Sequence, residues 1–151
     1  MEFQVKTLPP EVLIPELLAL LDQTESVPLV ISGSSMTPFL VHGRDTVFLS
    51  AVTVPLKRGD MILYRRLSGQ YVLHRICRVS PDCYDLVGDA QTEIERGIRP
   101  DQVLAVVNAV RRKGIVLKKG DFWWDFFEGF WLKVIPLRPV LRRIYGLFSR
   151  K

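Results

Sequence analysis

Two short segments of this chain carry side chains that could perform acyl transfer. Ser35 follows the apolar run 27–31 and lies in a turn rich in glycine and serine, where a hydroxyl can face solvent beside free backbone N–H groups. His74 lies within the strand-like run 71–79, and an imidazole with an ordinary pKa of about 6.5 can act as a general base at neutral pH. Each segment alone is more typical of a structural turn or a packed histidine.

The elements around these residues predict a mainly β fold. Leucines at helical spacing predict an N-terminal helix over 10–23. Short apolar runs separated by turn dipeptides predict strands at 27–31, 46–49, 61–64, 71–79, 84–87 and 103–110. We therefore expect a compact antiparallel β domain over 27–118. A helical segment over 1–26 precedes it, and an aromatic, basic tail of amphipathic helices over 119–151 follows it.

Charge is divided unevenly along the chain. Residues 1–110 hold 10 Lys/Arg and 13 Asp/Glu, whereas residues 111–151 hold 11 and 3. The tail also contains all three tryptophans, and it is typical either of helices that cover a sheet or of a segment that lies on an anionic membrane surface. We expect the membrane rather than nucleic acid as partner. The candidate membrane-contact residues are Trp123, Trp124, Trp131, Arg142 and Arg143.

Several other classes of site are not indicated. The chain has two cysteines and two histidines without metal-type spacing, so we expect no metal site and no cofactor. No apolar stretch of about 18 residues occurs, and the first residues do not resemble a signal peptide. We therefore expect a peripheral protein on the cytoplasmic face of the membrane, without a span.

Taken together, the motifs resemble the type I signal peptidases. Ser35-Met36-Thr37-Pro38 follows an apolar strand, and Gly43-x-Asp45, Gly59-Asp60, His74-Arg75 and Gly88-Asp89 come after it in the order typical of that family. The similarity extends over about residues 27–110. Histidine at position 74 resembles the branch that uses histidine rather than lysine as base. The resemblance implies a signal-peptidase-like fold and cleavage of signal or leader peptides, with Ser35 as nucleophile and His74 as base.

The same resemblance implies that a carboxylate orients His74. Asp89 is the favoured candidate, because a short side chain holds an imidazole rigidly, and Glu95 is the alternative, at a position where that branch often has aspartate. The sequence has no counterpart of the family's N-terminal membrane anchor.

The residues that border the nucleophile have expected roles as well. Gly33 stands where many of these enzymes have a serine that stabilises the oxyanion, so backbone N–H groups, above all that of Ser35, remain for this role. Ser34, Met36 and Pro38 are expected to shape the turn and line the substrate pocket. His42 is expected to be a loop residue.

Two alternative interpretations stay open. A catalytically silent peptide-binding or scaffold protein at the membrane remains compatible with Gly33. A self-cleaving repressor-type peptidase shares the implied fold, but the chain has no Ala-Gly or Cys-Gly dipeptide and no lysine at or beside position 74. For the leading interpretation the partners are a peptide or preprotein and anionic lipid. The oligomeric state is left open.

Overall fold

The computed structural model describes residues 8–148 and contains one antiparallel sheet of eight strands, with helices before and after it. The helices are α1 (Pro10–Leu20), α2 (Phe122–Glu128), α3 (Phe130–Lys133) and α4 (Arg138–Phe148). The strands are β1 (Val27–Val30), β2 (Thr46–Ser50), β3 (Met61–Arg65), β4 (Tyr71–Val79), β5 (Tyr84–Val87), β6 (Glu95–Ile98), β7 (Val103–Arg112) and β8 (Ile115–Leu117). The predicted fold class is confirmed.

The strand order places β3 and β4 in the middle of the sheet. The order is β1-β2-β7-β3-β4-β5-β6, and β8 pairs with the C-terminal end of β7. Four of the five side chains of β3 are buried, as expected for a central strand with both faces covered. In the antiparallel register between β3 and β4, Ile62 lies opposite His74 and Tyr64 lies opposite Val72. Tyr64 is therefore a diagonal neighbour of His74 on the same face.

Alternation along the strands produces two apolar clusters, one on each face of the sheet. The larger cluster contains Met61 and Leu63 of β3, and the smaller contains Ile62 and Tyr64. Ile14 of α1 and three aromatic residues of the tail, Trp124, Phe127 and Trp131, belong to the larger cluster.

The three segments expected from the sequence thus share one core. Helices α1, α2 and α3 pack on the sheet, because this buries the apolar side chains that they contribute to the larger cluster. Residues 1–7 and 149–151, which belong to the first and last of these segments, lie outside the described part.

Two strands were not expected from the sequence. Residues 95–98 form β6 although the apolar pattern predicts no strand there, and β8 has only three residues. β6 carries Glu95 into a pairing with Leu86 of β5, which fixes the position of this carboxylate. The N-terminal helix ends at Leu20, three residues before the expected boundary.

Candidate functional site

A pocket of about 550 Å³ contains both Ser35 and His74 in its wall. One side of the pocket is the segment 31–37, and the opposite side is the segment 70–74, which includes the first half of β4. A second pocket of about 670 Å³ shares His74 with the first and continues along residues 90–95. His74 therefore lies in the wall of both pockets, which together we call the cleft.

The turn that carries Ser35 is held by local hydrogen bonds. The backbone N–H and the hydroxyl of Thr37 both donate to the Ser34 carbonyl, at 3.2 and 2.8 Å. The Ala90 N–H donates to the Ser35 carbonyl at 2.9 Å. Neither the Ser35 hydroxyl nor its backbone N–H has a hydrogen-bond partner among residues 8–148, so both are free for a ligand in the pocket.

Gly88 allows the loop after β5 to approach the Ser35 turn closely. A Cβ atom at this position would lie 2.5 Å from the Ser35 carbonyl oxygen, which is closer than real Cβ contacts. Only glycine fits without a shift of one of the two backbones. The expected Gly88-Asp89 motif therefore has a packing role here.

His74 is linked to a carboxylate through a tyrosine. Its Nδ1 atom lies 3.3 Å from the Tyr64 hydroxyl, and that hydroxyl donates a short hydrogen bond to Glu95. Arg66 in turn donates to both oxygens of Glu95, from Nε to Oε1 and from Nη2 to Oε2, each at 3.0 Å. The order of groups is therefore His74, Tyr64, Glu95 and Arg66.

This order fixes the tautomer of His74. A phenol has one hydrogen, and Tyr64 gives it to Glu95, so its oxygen can only accept from Nδ1. Nδ1 must then carry the ring hydrogen, and Nε2 keeps its lone pair. In the described part of the chain, Nε2 has no partner, yet no buried side-chain nitrogen is left unpaired. Nε2 must therefore reach solvent, and the His74 side chain does so in the pocket wall.

The ionisation states agree with this geometry. Burial lowers the pKa of His74 to about 4, although Glu95 opposes the shift. Burial also raises the pKa of the Tyr64 phenol, and the hydrogen bond to Glu95 raises it further. Burial would raise the pKa of Glu95, but hydrogen bonds from Arg66 and Tyr64 outweigh it and lower this pKa. At neutral pH the imidazole and the phenol are uncharged and Glu95 is ionised.

Asp89, the favoured partner of His74, binds a different residue. Both of its oxygens accept from Arg75, at 2.9 and 3.0 Å, in an ion pair whose side chains are almost completely buried. Arg75 follows His74 in β4, so its side chain points to the opposite face of the sheet and brings Asp89 with it. Of the two candidate carboxylates, Glu95 is the one linked to His74, and the link passes through Tyr64.

The residues around the nucleophile have varied roles. Ser34, Gly33 and Met36 line the pocket, and Met36 is also part of the larger core cluster. The Gly33 N–H donates to Nδ1 of His42 at 2.9 Å, so this N–H is not free for an oxyanion. Pro38 is not among the residues that line the pocket, and it follows a cis peptide bond.

Some of the tail residues expected to contact lipid pack against the body of the protein instead. Trp124 and Trp131 are buried, and the Trp131 indole donates to the Asp89 carbonyl at 2.7 Å, so neither is a membrane contact. A helix that covers a sheet and one that lies on a bilayer both need an apolar side, and the sequence pattern does not separate them. Trp123 is half-exposed, Arg142 and Arg143 are exposed, and Arg142 also lines the pocket.

Three residues of the site were not identified from the sequence: Tyr64, Arg66 and Arg138. The strand pattern predicted β3 and β4 but not the register that places Tyr64 beside His74 on one face. Arg138 was assigned only to the tail. It is fully buried and donates to the carbonyls of Gly88 and Gln91, at 2.9 and 2.8 Å.

Within residues 8–148 there is no cluster of three or more side chains suited to hold a metal ion, and no helix has the length and apolar character that crossing a bilayer requires. Neither a protein-family model nor a curated protein matches this chain.

Proposed function

We propose that this protein is a serine endopeptidase that cleaves extended peptides, with Ser35 as nucleophile and His74 as general base. The observation that carries the proposal is the orientation of His74. Its Nδ1–H is directed to Tyr64, its Nε2 is left without a partner among the described residues, and His74 lines the same pocket as Ser35. A serine hydroxyl without a partner and a neutral imidazole in the correct tautomer are the two groups that acyl transfer requires.

In the proposed reaction, the Ser35 Oγ attacks the carbonyl carbon of the scissile amide while its proton moves to Nε2 of His74. The C–N bond then breaks as Nε2 returns this proton to the leaving nitrogen, which gives an acyl-enzyme and an amine. Water repeats the sequence and releases the carboxylic acid. Glu95 stabilises the transient imidazolium through Tyr64, and the free Ser35 N–H can stabilise the oxyanion.

The edge of β4 supports a peptide as substrate. Residues 71–74 pair with β3 on one side, but β5 pairs with β4 only from Arg75 onward. Among the described residues, the other side of 71–74 has no neighbouring strand, and this side belongs to the pocket wall. An extended peptide could add there as a strand and bring one amide bond between Ser35 and His74. Signal or leader peptides, which are extended near their cleavage sites, are the proposed substrate class.

The test is covalent labelling with a fluorophosphonate probe, which reacts with activated serines. We expect the wild-type protein to be labelled at Ser35 and the Ser35→Ala variant to lose labelling completely, because the proposed nucleophile is then absent. Ser34→Ala is the matched control, since this neighbouring serine is exposed in the same turn. It should keep labelling within a few-fold of wild type.

Two results would contradict the proposal. Labelling that persists in Ser35→Ala would assign the nucleophile elsewhere. A folded wild-type protein that is not labelled, yet binds extended peptides, would favour the peptide-binding scaffold. The His74→Ala variant separates the roles further, because loss of the base should abolish labelling while His42→Ala leaves it intact.

A further inference from the structure

Two arginines of α4 contact the body of the protein, and several of its apolar side chains are exposed. Arg138 is fully buried, and Arg142, although exposed, donates to the Ala90 carbonyl at 3.1 Å, so both lie on the side toward the body. The opposite side, together with the residue just before the helix, is apolar and exposed. We call it the outer face of α4, and it consists of Leu137, Val140, Ile144 and Leu147.

The outer face is continuous. At 3.6 residues per turn its members fall within an arc of about 80°. Their exposed fractions are 56% for Leu137, 54% for Val140, 46% for Ile144 and 72% for Leu147. Four large aliphatic side chains in one exposed stripe indicate a docking surface, whereas a single exposed leucine would need no explanation.

The charge around this stripe indicates which kind of partner binds it. From residue 129 to the end, the chain has six Lys/Arg and no Asp/Glu. Arg143, beside the outer face, is exposed and has no acidic partner among the described residues. A second copy of the chain, packed symmetrically on this face, would bring two acid-free basic helices together, and their repulsion disfavours it. An apolar stripe flanked by unpaired basic residues fits the interface of an anionic bilayer.

We propose that the outer face of α4 docks on the surface of anionic lipid bilayers, with the helix lying in the plane of the interface. The opposite side of α4 contacts the loop after β5, so the pocket then lies next to the bilayer. Arg138 and Arg142 bind the carbonyls of Gly88, Ala90 and Gln91, and Arg142 lines the pocket. The pocket consequently opens beside the docked helix.

The experiment is flotation of the full-length protein with lipid vesicles. We compare phosphatidylcholine vesicles with vesicles that also contain phosphatidylglycerol. The wild-type protein should float with the anionic vesicles and only weakly with the neutral ones, and added salt should weaken the binding. The double variant Ile144→Glu/Leu147→Glu should bind about tenfold more weakly or less, because it places two carboxylates in the apolar stripe.

The matched control is Val52→Glu/Val54→Glu. These valines are exposed to a similar extent, 41% and 69%, and lie in the loop after β2, outside α4. The control adds the same charge and should bind anionic vesicles within about twofold of wild type. Circular dichroism before flotation establishes that both variants are folded.

Other results of these experiments would contradict the proposal. If wild type binds neither kind of vesicle, or both variants bind equally, α4 does not dock on lipid. If wild type forms a dimer that the α4 variant alone abolishes, the outer face is a protein interface. The Ser35→Ala variant should bind vesicles like wild type, so failure of the peptidase proposal and failure of docking are seen separately.

Discussion

At the residue scale, Tyr64 determines which nitrogen of His74 faces the pocket. The Tyr64 hydroxyl accepts from Nδ1 and donates to Glu95, so a neutral residue stands where many serine peptidases have a carboxylate. A phenol stabilises a neighbouring imidazolium less than a carboxylate in direct contact does. We therefore expect slow acylation compared with enzymes that have a direct pair.

The Tyr64→Phe variant tests this positioning role. It keeps the ring but removes the acceptor for Nδ1–H, so the rate at which the fluorophosphonate phosphonylates Ser35 should fall about tenfold or more. Nitrogen-15 NMR of the histidine ring gives a readout that a loss of packing would not change. The Nδ1–H tautomer should dominate at His74 in wild type and lose this dominance in the variant.

Tyr71→Phe is the control for this experiment, since Tyr71 also lines the pocket but has no hydrogen bond to His74. The rate at which the fluorophosphonate labels this variant should be within about twofold of wild type. Equal rates in wild type and Tyr64→Phe, with unchanged ring tautomers, would show that the hydroxyl does not position His74.

The sequence contained enough information to select Ser35 and His74, which the structure brings to one pocket, but not their supporting residues. The preference for Asp89 considered only the length of the side chain. It did not consider that Arg75, adjacent to His74 in a strand, must point to the other face and compete for the same carboxylate. Tyr64 was missed because the link between two strands depends on register, which periodicity alone does not determine.

At the element scale, α4 connects the tail to the cleft. Arg138 makes four hydrogen bonds from the buried side of the helix, two to the Trp131 carbonyl and one each to the carbonyls of Gly88 and Gln91. Burial lowers the pKa of Arg138 to about 10, which leaves it charged at neutral pH. The composition of the tail predicted an amphipathic helix but not that one of its arginines, Arg138, would be buried.

The Arg138→Met variant should therefore be strongly destabilised. It keeps the volume of the side chain but removes four hydrogen bonds to backbone carbonyl groups, of which only that of Gly88 keeps another donor among the described residues, so the free energy of unfolding should fall by about 3 kcal/mol or more. Urea denaturation measures this change. Arg143→Met, an exposed position of the same helix, should change it by less than about 0.5 kcal/mol. Similar stabilities of the two variants would mean that the buried guanidinium is not needed to hold the loop.

At the scale of the whole molecule, the sequence predicted the class of fold and the position of most strands. Alternating apolar runs bounded by turn dipeptides identified six of the eight strands, because hydrophobic alternation and turn chemistry act locally. The division into three segments did not anticipate the common core. Whether a flanking helix packs on a sheet depends on surfaces far apart in the chain, such as Ile14 against the strands and Trp131 against the loop after β5.

The buried neutral state of His74 should make global stability depend on pH. Its pKa is about 4 in the folded protein against 6.5 for a free histidine, so the unfolded chain binds more protons as pH falls below 6.5. Stability is thus lost toward acid. Between about pH 7 and about pH 5 this group alone should lower the free energy of unfolding by about 2 kcal/mol.

Urea denaturation of two single variants checks this effect, because the chain has only two histidines. His74→Gln should remove most of the pH dependence in this interval. His42→Gln, at an exposed position, should leave it as in wild type. The reverse pattern would mean that His74 is not the group whose protonation unfolds the protein.

Tyr64 has a single hydroxyl hydrogen and donates it to Glu95. The two hydrogen bonds that link His74 to Glu95 through Tyr64 therefore run in one direction, from the imidazole to the carboxylate. If Glu95 is protonated, its carboxyl group can donate to the Tyr64 oxygen. The Tyr64 hydroxyl can then donate its own hydrogen to Nδ1 of His74. The ring hydrogen would move to Nε2, and the base would be inactive although still uncharged. The decline of activity in acid should therefore report two titrations, one of the imidazole and one of a carboxylate that acts on it through Tyr64.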